Sequence, residues 1–256
     1  MANGKLFLIG FGNSGAQGIT LSGLEALKSC QKAFAESYTN LAPEGTLLEL
    51  EKLSGKKIIL LGREQVESEK EMLEAASSSS VALLVSGDPM IATTHVSLVL
   101  SAKKRGIAVE IFHAASILSS AIGESGLQAY KFGKIVTLAY WRENYKPMSA
   151  YEVISENLSR GLHTLLFLDI DEKLGPLRPE NAAALLLEME QEGKKGIFSQ
   201  ETKLVLLQGI GWENQVKKYA SIAELLKIKS KKSDPPAIII APGKLHFLEE
   251  EFLQSL

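Results

Sequence analysis

The stretch Ser86-Gly87-Asp88-Pro89-Met90-Ile91-Ala92-Thr93-Thr94-His95 carries the densest chemistry in this 256-residue chain. It follows Val81-Ala82-Leu83-Leu84-Val85, an apolar run that predicts a buried strand. In an open α/β sheet, ligands bind beyond the carboxyl ends of the strands. This strand therefore delivers a Gly, an Asp, a Pro and two Thr to a ligand-binding edge. Asp88 can hydrogen-bond amino or hydroxyl groups of a ligand, or it can cap the turn that Asp-Pro favours. Thr93 and Thr94 can cap the next helix, or contact a carboxylate at its N-terminus. Glu36 and Tyr38, near the end of the second expected strand, can face a substrate or serve as surface or dimer contacts.

A second glycine-rich loop, Gly10-Phe11-Gly12-Asn13-Ser14-Gly15, matches the spacing of the dinucleotide fingerprint. That fingerprint works when the helix opens within the glycines and aims its amides at the pyrophosphate. Here Gly15 and Gly18 prolong the loop, and the first good cap is Thr20. The spacing therefore favours a loop whose backbone approaches some other ligand. His95, His113, His163 and His246 lack metal-ligand spacing, so a structural role is expected for each. Neither a serine nucleophile elbow nor a phosphate-binding Gly-x-x-x-x-Gly-Lys loop is present.

The elements that must position these residues alternate. The first half reads as strands at Leu6–Ile9, Ala33–Ala35, Ile58–Leu61, Val81–Val85 and Ala108–Phe112. Helices are expected over Thr20–Cys30, Leu47–Leu53, Glu64–Ala76 and Thr94–Arg105. Continuous apolar strands separated by helices predict a parallel sheet covered on both faces. The second half reads as helices at Ser116–Ile122, Ser149–Ser159, Glu180–Glu190 and Ser221–Ile228. Its strands are expected at Ile135–Ala139, His163–Asp169, Thr202–Leu207 and Ala237–Ala241. A boundary near residue 113 divides an N-terminal α/β domain (1–113) from a C-terminal one (114–256). The net charge of −2 gives no global case for nucleic-acid binding, and the short basic runs read as solvated helix ends and loops. One cysteine, Cys30, excludes an intramolecular disulfide and makes a thiolate metal cluster implausible. The chain shows no signal-peptide pattern and no bilayer-length apolar segment, so the cytoplasm is the expected location.

Several segments, in order from end to end, resemble the diphthine synthases, methyltransferases of the tetrapyrrole-methylase fold that use S-adenosylmethionine. They are Leu8-Ile9-Gly10-Phe11-Gly12, Ile19-Thr20-Leu21-Ser22-Gly23-Leu24-Glu25, Phe34-Ala35-Glu36-Ser37-Tyr38-Thr39, and Gly87 through His95. His113-Ala114-Ala115-Ser116-Ile117, Gly126 through Gly133, Gly161 through Ile170, Asp234-Pro235-Pro236 and Pro242 through His246 complete the set. The resemblance implies two α/β domains, with a mostly parallel sheet in the first and a mixed sheet in the second. It also implies a cofactor cleft between them and a homodimer. The implied substrate is elongation factor two, whose aminocarboxypropyl-modified histidine is methylated on its amino group on the way to diphthamide. Carried over by position, the S-adenosylmethionine contacts fall on Asn13, Asp88, Ile91, Ser116, Ile117, Leu168, Ile210 and Ala237. Three of these depart from the family pattern. Asn13 stands where an apolar residue is usual, Ile210 lies in an altered Gln208-Gly209-Ile210-Gly211 segment, and Ala237 stands where His is frequent. No residue is assigned as a base, and no metal is expected. Other enzymes of the same fold, acting on tetrapyrroles or ribosomal RNA, a nicotinamide-dependent oxidoreductase and a cofactor-binding protein without turnover are the alternatives.

Overall fold

Alternate residues of the first strands enter two different cores, which is why these strands are apolar throughout. Leu6 and Leu8 join Phe34, Val81, Leu83, Met72, Leu73 and Leu98 on one face. Phe7 and Ile9 join Ala33, Ala35, Leu84, Leu27 and Leu50 on the other. A sheet covered on both faces favours apolar residues at successive strand positions. The structure, a computed structural model, describes residues 4–36, 41–171 and 173–256. It divides into two compact units, Met1–Ser119 and Ser120–Leu256.

The first unit contains β1 (Lys5–Gly10), α1 (Leu21–Ser29), β2 (Lys32–Glu36), α2 (Thr46–Ser54), β3 (Ile58–Leu61), α3 (Arg63–Ser68), α4 (Lys70–Ala76), β4 (Ser80–Val85), α5 (His95–Lys104) and β5 (Ala108–Phe112). Its sheet runs β3-β2-β4-β1-β5 and every pairing is parallel. Thr20 caps α1, its Oγ1 accepting from the Gly23 amide at 3.1 Å. The expected helix over Glu64–Ala76 is two helices, because Glu69 adopts φ +58° and ends the first. α5 opens at His95, and Thr94 occupies the cap position without a side-chain capping bond. Thr93 does not cap it either, since its hydroxyl donates to the Pro89 carbonyl at 2.9 Å.

α6 (Ile117–Ser125) crosses from the first unit into the second. The second unit holds β6 (Val136–Leu138), α7 (Ser149–Ser159), β7 (Thr164–Leu168), β8 (Ile170–Asp171), β9 (Gly175–Pro176), α8 (Pro179–Gly193), β10 (Lys203–Gln208), β11 (Val216–Ser221), α9 (Ile222–Leu225), β12 (Ala237–Ala241) and α10 (Phe247–Gln254). Its main sheet runs β11-β10-β12-β7-β6, antiparallel except for the parallel β6–β7 pair. Tyr151, Ile154, Leu186, Met189, Leu206 and Ile239 centre the core between this sheet and its helices. The small β8–β9 hairpin, β11 and α10 are additions to the elements expected from the sequence.

Two carboxylates, half-buried Glu190 and buried Glu249, hold the ends of this unit. Glu190, on α8, accepts the amides of Gly196, Ile197 and Phe198 at 2.7–2.9 Å and the Tyr151 hydroxyl at 2.9 Å. Burial opposes its ionisation, but these four donors outweigh burial and hold the carboxyl below its ordinary range. Glu249, on α10, accepts from Lys131, from the amides of Gln128 and His246, and from His163 Nε2. The other nitrogen of His163, Nδ1, accepts the Gly243 amide at 2.9 Å, which fixes the neutral Nε2–H tautomer. Burial pushes Glu249 up, yet its donors bring it down to about 2. Burial also pushes the His163 imidazole down, and Glu249 only partly offsets this.

Both shifts have the same sign for stability. His163 protonates more readily in the unfolded chain, so stability is full above about pH 6.5 and falls as pH drops below that value. Glu249 adds a second loss that begins below its ordinary 4.5 and runs toward 2. Melting curves across pH 8 to 3 should therefore show a decline starting in the histidine range and steepening in the carboxylate range. Glu249→Gln should cost about 3 kcal/mol at pH 7, because it strands a buried network, and should flatten the lower part of the decline.

Candidate functional site

The carboxyl ends of β1, β4 and β5 are adjacent, because β1 lies between β4 and β5 in the sheet. Three loops leave this edge and are bound to one another by main chain. Gly12 and Gly87 exchange two amide–carbonyl bonds at 2.9 and 3.1 Å, joining the loop after β1 to the turn after β4. Both have positive φ, +72° and +70°, which glycine adopts without cost. Gly10 is required for space. A methyl group there would stand 2.5 Å from the Gly87 carbonyl oxygen, 2.9 Å from Pro89 and 3.1 Å from Ala114.

Asp88 ties the turn after β4 to the segment after β5. Its Oδ1 accepts the Met90 amide at 2.9 Å; its Oδ2 accepts from His113 Nδ1 at 2.8 Å and from the Ala114 amide at 3.3 Å. The side chain is buried. Asp88 thus does cap its own turn, as Asp before Pro favours, and it also reaches a histidine 25 residues away. Ile91 follows in this turn as an exposed apolar side chain, and Ala92 takes φ +56°. Asn13 is half-buried beside Gly87. Ser116 is buried and its Oγ accepts the Leu118 amide at 3.2 Å, so it supports the start of α6, where Ile117 is half-buried.

Behind the turn sits a second histidine. His95 is buried, its Nδ1 lies 2.7 Å from the Pro89 carbonyl oxygen, and its Nε2 lies 3.7 Å from Glu36. Burial pushes this imidazole down, but Glu36 and the Pro89 carbonyl outweigh burial and hold it above its ordinary 6.5. Glu36 is therefore an interior partner of His95; the surface role considered from the sequence does not apply. Tyr38 lies outside the described residues. The Asp88–His113 and Glu36–His95 pairs were invisible to local pattern, since their members are separated by dozens of residues. A histidine immediately after a parallel strand was the available signal for His113.

The glycine loop after β1 does not have the geometry of a dinucleotide fingerprint. Gly15–Gly18 form one 3₁₀ turn, and α1 opens only at Leu21. Among the described residues no cluster of His, Cys, Asp and Glu could hold a metal ion. Burial pushes the thiol of Cys30 up to about 11, which removes it from nucleophilic chemistry. No helix of the described residues is long and apolar enough to cross a membrane.

In the second unit, Leu168, Ile210 and Ala237 are all buried. Ala237 pairs with Gln208 across β10 and β12, and Leu168 ends the adjacent β7. The Ala237 and Leu168 side chains belong to the core cluster of this unit, which leaves their main chain as what they can offer a ligand. Gly209 takes φ +59°, and its amide donates to the Pro236 carbonyl at 2.9 Å, while Gln208 Nε2 donates to the Pro235 carbonyl at 2.9 Å. The double proline is thereby fastened to the segment carrying Ile210.

What the first-unit edge can do chemically follows from its atoms. A methyl group at Gly87 would meet only Asn13 Oδ1 at 3.8 Å and the Ala115 carbonyl at 3.9 Å. Gly87 thus lies near two acceptor oxygens, and Ile91 exposes an apolar side chain in the same turn.

The family model described as Tetrapyrrole (Corrin/Porphyrin) Methylases matches residues 5–226. The diphthine synthase of Methanocaldococcus jannaschii is 42% identical over 255 residues, covering 98% of each chain. That of Methanothermobacter thermautotrophicus is 36% identical over 252 residues, covering 98% of this chain and 95% of the other. The crystal structure of a diphthine synthase superposes with TM-score 0.86 at 32% identity, covering 98% of this chain and 94% of that one.

If close approach at Gly10 is what lets the three loops join, Gly10→Ala should force the turn after β4 away from Ala114. The expected cost is about 1–3 kcal/mol, as for other overpacked interiors. Guanidinium unfolding checks the cost, and the His113 ring resonances should shift as its bond to Asp88 lengthens.

Proposed function

This chain belongs to the tetrapyrrole methylase family, and we propose that it is an S-adenosylmethionine-dependent N-methyltransferase acting as the diphthine synthases do. In this reading it methylates the amino group of the aminocarboxypropyl-modified histidine of elongation factor two. The observation that carries the reading is similarity to diphthine synthases over 98% of the chain. The turn after β4 supports the cofactor, because it lies beyond the carboxyl end of a parallel strand, where ligands of such sheets bind.

When bound, S-adenosylmethionine supplies a methyl carbon activated by a sulfonium leaving group. The chain's own work is to hold and orient. On the first unit we assign this to Asn13, Asp88, Ile91, Ser116 and Ile117. On the second we assign it to Leu168, Ile210 and Ala237, through their main chain. The replacement of a frequent His by Ala at 237 is compatible with such a role. Asp88 keeps the turn after β4 in place, and His95 fixes the Pro89 carbonyl behind it. In-line displacement needs no covalent intermediate on the protein, and orientation is worth about 7–11 kcal/mol of barrier. The reading includes a homodimer in the cytoplasm. Val96 and Leu100, one turn apart and exposed on α5, supply an apolar stripe in support of self-association.

Titration calorimetry with S-adenosylhomocysteine and NAD, run in parallel, should give heat with the first and none with the second. After incubation with S-adenosylmethionine, the histidine peptide of pre-modified elongation factor two should gain mass in methyl steps, and unmodified factor should gain none. Binding of NAD alone, or an unchanged pre-modified peptide, would remove this assignment.

A further inference from the structure

Methylating an amine requires its lone pair, and near neutral pH an aliphatic amine is largely an ammonium. A proton must leave before each displacement. Three groups in the segments that follow β4 and β5 could be considered. His95 is buried, and both of its ring nitrogens face protein groups. Asp88 is buried, and its two oxygens already accept three donors. His113 differs from both. One nitrogen is held by Asp88, yet the side chain is 68% exposed and no described residue holds Nε2.

The hydrogen-bond pattern sets the tautomer. An aspartate that accepts two backbone amides is an acceptor at both oxygens, so His113 Nδ1 must carry the proton it shares with Asp88. The Nε2 lone pair then has no partner among the described residues and is directed away from Asp88 on the opposite side of the ring. A buried carboxylate that orients an exposed imidazole is the arrangement by which histidine serves as a base. The dyad also sits where the sheet places ligands. His113 is the first residue after β5, Asp88 lies in the turn after β4, and β1 ends between them at Gly10.

We propose that His113 is the general base that deprotonates the acceptor amine, with Asp88 as its positioning residue. This assignment rests on the amine-methylating reading above. In each cycle His113 Nε2 takes one proton from the substrate ammonium, leaving a neutral amine. The nitrogen lone pair forms the new bond to the methyl carbon as the carbon–sulfur bond breaks, and that electron pair stays on sulfur. The sulfonium becomes a neutral thioether, and the nitrogen becomes a methylated ammonium. The exposed imidazolium returns its proton to water. Repeated methylation repeats the proton step for as long as the nitrogen carries hydrogen.

His113→Gln and His113→Ala test this directly, and the exposure of the side chain favours folding of both. Turnover at saturating substrate should fall by roughly 10²–10⁴-fold at neutral pH. Affinity for S-adenosylhomocysteine should stay within about two-fold. The residual rate of the variants should climb with pH as the amine loses its proton unaided, and added imidazole should restore part of the His113→Ala rate. Independently of activity, long-range ¹H–¹⁵N spectra of the wild-type protein without ligand should show protonated Nδ1 and bare Nε2 at His113 when the ring is neutral. Undiminished turnover in both variants, or a proton found on Nε2, would overturn the assignment. A wild-type protein that leaves pre-modified factor unmethylated would count against the functional reading itself. Normal wild-type turnover with undiminished variants removes only the base.

Discussion

Close approach of main chain at Gly10 is the constraint on which the candidate site depends. The turn after β4 and the segment after β5 can meet across the end of β1 only because residue 10 has no side chain. Once they meet, one carboxylate can serve both. Asp88 satisfies an amide in its own turn and an amide beyond β5, and the same oxygen that reaches Ala114 also aligns His113. The parallel sheet supplies the scaffold, since a strand order that puts β1 between β4 and β5 is what brings residues near 10, 88 and 113 to one place. Rigid strands below and short main-chain bonds above give a site whose groups are set before any ligand arrives.

The second unit uses the same device away from any ligand. Half-buried Glu190 and buried Glu249 are acids whose charge is matched by amides, a lysine and neutral partners. Each closes a helix or loop that would otherwise leave backbone donors without partners. The cost of burying the charge is offset by several donors converging on it, which is the condition under which such a group can remain ionised.

Much of the frame was legible in the sequence. β5, α7 and β12 occupy the residues expected for them, because β12 is a continuous apolar run, α7 has a clear helical period and β5 is apolar apart from Glu110. The parallel first sheet and mixed second sheet follow the expected class. The break at Glu69 was hidden because only a backbone angle records it. β11 was hidden because an edge strand bearing Lys217 and Lys218 has no apolar run. At the candidate site, the glycine loops and the Gly-Asp-Pro turn were legible as loops leaving the ends of β1 and β4. The pairing of Asp88 with His113, and of Glu36 with His95, was not. Those pairs arise from strand order, and strand order is fixed by packing over the whole unit.

Two of the four edge strands of the main sheets, β3 and β11, carry different consequences for solubility. β11 presents lysines along an open row of amides and carbonyls, so an approaching strand meets charge before it meets hydrogen bonds. β3 also has an open side, yet Ile59 and Leu60 are exposed on it. Its brevity, four residues, is its chief protection against templating a neighbour. Under conditions that loosen the chain, clumping should begin at Ile58–Leu61, and a single lysine there would blunt it.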